Sequence, residues 1–227
     1  VGGIASSPRI ATVRTSNATL TIATFSGGIS NSGMISAGGA GILVGGDASM
    51  GEGDFGNVTF ALSTFSGGIG NSGTITAGGA GIWVGGAAAI LSPAGNTNAP
   101  TVTISTFGGG ISNSGTISAG GNGIWVGGNA SLSGGTGSRN TASVRISTFS
   151  GGISNSGTIL AAGAGIMVGG AANANVNGSG NTASVTIVTF SGGISNSGTI
   201  SAGGAGIEVG GSANASRAGN TVAVTIS

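Results

Sequence analysis

The stretch Thr24-Phe25-Ser26-Gly27-Gly28-Ile29-Ser30-Asn31-Ser32-Gly33, followed by an Ile35 segment and then Gly41-Ile42-Leu43-Val44-Gly45-Gly46, returns four more times with little change. Its phenylalanine stands at Phe25, Phe65, Phe107, Phe149 and Phe190, so successive copies are 40, 42, 42 and 41 residues apart. A fixed period of this size marks an architecture of stacked units and outranks any single local signal. Residues 1–227 therefore read as one array of five full repeats with a partial repeat at either end. Val1-Gly2-Gly3 matches Val44-Gly45-Gly46, and Val224-Thr225-Ile226 matches Val185-Thr186-Ile187, so the stretch is expected to belong to a longer array.

Within each repeat four apolar alternations recur. They are exemplified by Val102-x-Ile104, Ile29-x-Asn31, Ile35-x-Ala37 and the long Ile42-x-Val44-x-Gly46-x-Ala48-x-Met50. Period-two alternation rich in β-branched residues reads as strand with one face inward. No segment carries a 3.6-residue stripe, and the glycine density would penalise a helix. Gly27-Gly28, Asn31-Ser32-Gly33 and Gly38-Gly39-Ala40-Gly41 separate the strands as corners, since Gly and Asn tolerate the backbone angles a corner needs. Length varies almost entirely after the fourth alternation, at 51–56, 92–100, 133–139 and 177–180, which places one variable loop on one edge of the stack. The fold class is all-β, a parallel β-solenoid with about one coil per 41-residue repeat. Two coils of about half the period per repeat are the second-ranked alternative, because the two halves of a repeat do not resemble each other.

Composition excludes several functions. Charged residues are 4% of the chain, and Cys, His, Tyr and Lys are absent. The five arginines (Arg9, Arg14, Arg139, Arg145, Arg217) form no run, so there is no electrostatic footprint for nucleic acid. No stretch approaches the roughly 20 apolar residues of a membrane-spanning helix. A mean hydropathy of +0.44, with apolar residues at fixed places, separates the chain from disordered low-complexity sequence.

The motif Gly-Gly-Ile-Ser-Asn-Ser-Gly-Thr-Ile-Ser-Ala, followed by Gly-Ile-x-Val, resembles the passenger repeats of bacterial autotransporter and haemagglutinin-like surface proteins over essentially the whole stretch. The resemblance implies a right-handed parallel β-helix, secretion from a Gram-negative cell, and adhesive or structural work outside it. It brings no catalytic residues.

Stacking places like residues above one another. Phe25, Phe65, Phe107, Phe149 and Phe190 read as a buried corner ladder rather than a platform for sugars. Asn31, Asn71, Asn113, Asn155 and Asn196 read as an amide ladder that satisfies its own corner. Leu43, Trp83, Trp125 and Met167 occupy an outward position between inward Ile and Val, a stripe that Glu208 breaks. Such a stripe is either a lateral interface, to another filament or to polysaccharide, or a surface that the variable loop folds over. Thr74-x-Thr76, Thr116-x-Ser118 and Thr199-x-Ser201 suggest an ice-binding array, but Met34 and Leu160 interrupt it. Asp47, Glu52 and Asp54 cluster near one loop only, and read as solvated rather than as a calcium site.

Without His, Cys, Lys or Tyr the chain lacks the common bases and nucleophiles, so no catalytic, metal or cofactor residues are assigned and enzymatic activity is not expected. The expected function is structural, in an extracellular bacterial filament or surface fibre that self-associates end to end or laterally. The alternative is an autotransporter-type adhesin passenger that binds host or matrix ligands through its variable loops, and an ice-binding solenoid ranks behind both. With five arginines and no lysine, the native protein is expected to resist trypsin. Limited digestion followed by electrophoresis checks this, and rapid loss of the full-length band would count against a rigid stack.

Overall fold

A computed structural model describes residues 1–6, 15–51, 55–93, 95, 97–216 and 219–227. One repeat makes one coil of a parallel β-solenoid. In the middle of the stack the coil comprises Ala99–Phe107, Ile111–Asn113, Thr116–Ala119 and Ile124–Ser133. Each strand pairs in parallel with its equivalents in the coils before and after. Ile104 lies beside Leu62 and Ile146, Phe107 beside Phe65 and Phe149, and Ile124 beside Ile82 and Ile166. The result is four parallel sheets running along the stack, two of six strands and two of five.

The alternation noted in the sequence becomes burial. In Ile124–Ser133 the inward Ile124, Val126, Ala130 and Leu132 are wholly buried, while Trp125 and Ser131 lie half-buried outside and Asn129 is exposed. The inward residues of this sheet face Val102 and Ile104 of the opposite long sheet, and Ile111 and Ile117 close the section. Two residues, Ser105 and Thr106, intervene between inward Ile104 and inward Phe107. The strand turns there and delivers the ring into the corner. Each coil depends on its neighbours: Ile124 is fully buried, whereas its equivalent Ile207 in the last complete coil is 44% exposed.

The glycines divide into two kinds. Gly127 has φ +141°, and a Cβ there would fall 1.7 Å from the Gly169 carbonyl oxygen, so only glycine lets successive coils close at that point. The corner pair Gly109-Gly110 separates the kinds within two residues. A Cβ at Gly109 would lie 1.8 Å from the Gly67 carbonyl oxygen, whereas one at Gly110 would meet nothing nearer than 3.7 Å. Gly109→Ala is therefore expected to cost roughly 3 kcal/mol or more, the upper end of overpacking penalties, because the obstructing atom is backbone. Gly110→Ala should stay within about 1 kcal/mol of the parent, with any gain coming from a less flexible unfolded chain. Denaturant midpoints of the two variants check the pair.

Candidate functional site

The outward stripe lies on five strands, Ile42–Met50, Ile82–Leu91, Ile124–Ser133, Ile166–Asn175 and Ile207–Asn214, of the six-stranded sheet that Gly2–Ser6 begins. Backbone register sets Leu43 beside Trp83, Trp83 beside Trp125, Trp125 beside Met167 and Met167 beside Glu208. The two indoles stack with ring centroids 4.7 Å apart and planes 3° from parallel. Each also spends its N–H on the next coil: Trp83 Nε1 donates to the Gly127 carbonyl at 3.0 Å, and Trp125 Nε1 to the Gly169 carbonyl at 2.9 Å. The stripe is half-buried.

Around the indoles runs a trough of about 480 Å³. Leu43, Trp83 and Trp125 form its floor, the glycine corner ending in Asn122 forms one wall, and Asp47 and Asn129 stand along the other side. Asn122 is fixed there, its Oδ1 accepting the Ala164 N–H at 2.9 Å and its Nδ2 lying 3.4 Å from Met167 Sδ. The wall is this corner, and among the described residues none from the variable loop lines the trough. Chemically it offers indole edges. The ring faces meet each other and look toward Leu43 and Met167, so a sugar finds no open aromatic face to stack on.

The other sequence-selected residues hold the coils together. The phenylalanine rings stack at 5.3, 4.9, 4.8 and 4.8 Å along the column, with Phe65, Phe107 and Phe149 wholly buried. Asn31, Asn71, Asn113 and Asn155 each donate Nδ2 to the Oδ1 of the next asparagine at 2.7 Å. The same Nδ2 also reaches the glycine carbonyl two residues ahead, at 3.2 Å from Asn113 to Gly115.

A second amide ladder escaped the sequence reading. Asn98, Asn140 and Asn181 are completely buried where the variable loop rejoins the sheet. Asn98 Nδ2 donates to Asn140 Oδ1 at 2.9 Å, and Asn140 Nδ2 to Asn181 Oδ1 at 3.0 Å. Each Oδ1 also accepts the backbone N–H of the preceding coil: Gly56 to Asn98, Asn98 to Asn140, Asn140 to Asn181 and Asn181 to Asn220. The available signal was an asparagine four residues before Val102, Val144, Val185 and Val224.

Two further surfaces flank the stack. A groove of about 600 Å³ follows the Ile69, Ile111, Ile153 and Ile194 column between glycines and small residues. Its floor amides are already paired between coils, as in Ile111 N–H to the Gly152 carbonyl at 2.9 Å. The Thr74, Thr116, Thr158 and Thr199 column carries Met34, 80% exposed, at one end, and Leu160 lies in the adjoining column. A longer hydroxyl column, Thr19, Thr59, Thr101, Ser143 and Ser184, crosses five strands of the wide sheet and ends at Ala223 in the sixth, and Ala61 and Arg145 interrupt the next column. Asp47 is exposed, whereas Glu52 and Asp54 lie outside the described residues. Among the described residues no group of three or more carboxylates could hold a metal ion. No family model matches the chain, and neither a curated protein nor a solved structure does.

Asn140→Ala removes two acceptor contacts and one donor contact from a buried column. The expected loss is about 1–3 kcal/mol, the cost of leaving partners unsatisfied. Arg139 immediately precedes Asn140, so tryptic cleavage after Arg139 should accelerate in the variant, and peptide mapping reads that directly.

Proposed function

We propose that this chain is a structural segment of an extracellular bacterial filament or surface fibre. The observation that carries the reading is the unbroken passage of the phenylalanine and asparagine ladders from coil to coil. Side-chain groups that could have done chemistry are spent on neighbours along the stack. A rod built this way resists bending because any curvature must open backbone pairs, amide pairs and ring stacks at once. Lateral association would use the Leu43, Trp83, Trp125 and Met167 stripe, whose indole edges give a regular apolar strip.

A second reading, an autotransporter-type adhesin passenger, draws support from the same trough, where Asp47, Asn122 and Asn129 set polar groups around an apolar floor. The resemblance of the repeats to autotransporter and haemagglutinin-like passengers supports a bacterial cell-surface location under either reading. Electron microscopy of unextracted native material tests them. Uniform fibres with the coil repeat along the axis, touching through the indole strip, are expected. Single shafts rooted in an outer membrane and making no contact with one another would favour the adhesin.

A further inference from the structure

Alternation on a strand sets residues i and i+2 on one face, so an outward asparagine can carry a hydroxyl beside it in the glycan-acceptor pattern Asn-x-Ser/Thr. The chain has this pattern at Asn17-Ala18-Thr19, Asn57-Val58-Thr59, Asn129-Ala130-Ser131, Asn177-Gly178-Ser179 and Asn214-Ala215-Ser216. All five asparagines are exposed, and none is followed by proline. Among the described residues seven asparagines are buried, all in the two ladders, and they behave oppositely. Two residues after each of them stands glycine, alanine or proline, as in Asn113 to Gly115, Asn140 to Ala142 and Asn98 to Pro100. Among the described residues the ladder amides thus lack the hydroxyl and the exposed amides outside the ladders carry it; of these, Asn17 also accepts the Asn57 N–H on its Oδ1 at 3.0 Å, a contact that engages the oxygen and not Nδ2.

We propose that Asn17, Asn57, Asn129, Asn177 and Asn214 are acceptors for N-linked sugar, an inference that rests on export of the chain to the cell surface. In the transfer, the carboxamide Nδ2 bonds to the anomeric carbon of a sugar activated as a nucleoside or lipid diphosphate. The bond from that carbon to the diphosphate oxygen breaks, the diphosphate leaves with the electron pair, and one amide proton passes to a base of the transferase. Asn17 and Asn57 are partners in one column, so a sugar on either crowds the other and the two share occupancy.

Asn129 has a particular consequence. It stands on the same strand face as Trp125, separated from it by Gly127, which has no side chain, and both residues line the trough. A saccharide on Asn129 reaches across that gap and covers the indole edges wherever no lateral neighbour does, so sugar at Asn129 and fibre contact through the strip compete for one surface. The sugar then shields an apolar strip on a chain with very few charges.

The test is peptide-level mass spectrometry of the protein from its native host, digested with a protease of broad specificity after cell fractionation. Saccharide mass on these five asparagines, full or partial, with none on the seven buried ladder asparagines, supports the proposal. Unmodified asparagine in all five peptides from surface-fraction protein overturns it and leaves the surface reading intact. Protein confined to the cell interior overturns that reading as well. For Asn129, an Asn129→Gln variant should show stronger acrylamide quenching of Trp83 and Trp125 than the parent, and unchanged quenching would remove the covering role.

Discussion

Everything in this molecule follows from the distance between hydrogen-bonded parallel strands, about 4.8 Å. Once one coil sits on the next at that spacing, each side chain has its own equivalent as nearest neighbour along the axis. Only side chains that tolerate themselves can then fill the interior. Aromatic rings do so by stacking, as Phe65, Phe107 and Phe149 do. Amides do so by donating from one and accepting on the next, and aliphatic groups do so by interlocking. A buried carboxylate or ammonium would face its own charge at that distance, and among the described residues every buried polar side chain is an asparagine. Glycine at 127 and 109 meets the same constraint from the backbone side, because there the approach leaves no room for a Cβ.

The constraint also accounts for what was legible in the sequence. The coil and its inward residues were readable because period-two burial and a 40–42 residue step appear directly as letters. The second amide ladder was not. It sits at the exit of loops that differ in length, its spacing drifts from 42 to 41 to 39 residues, and Gly56 takes its place in an earlier coil. Asn140 is buried because the loop rejoins the sheet there, a fact of three dimensions that no local pattern announces.

The stripe was legible in direction but not in chemistry. Alternation shows that Trp83 and Trp125 point outward. It does not show that their faces are consumed by each other or that their N–H groups bond to glycine carbonyls one coil on. Nor does it show that a glycine corner, rather than the variable loop, walls the trough. The hydroxyl columns differ in the same way: the short Thr74 segment catches the eye as sequence, whereas the longer Thr19 to Ser184 column emerges only when five strands are laid side by side.

The asparagine ladders share one sense. In both, Nδ2 of each coil donates to Oδ1 of the following coil, and the indole N–H groups point the same way. Aligned dipoles sum along an axis, as peptide dipoles do along a helix, so the rod is electrically polar and its two ends are inequivalent. A chain folding from its N-terminus therefore presents, at the growing front, a row of amide donors spaced to receive the next coil. Each finished coil acts as a template that selects the register of its successor, and growth has a direction written into the side chains.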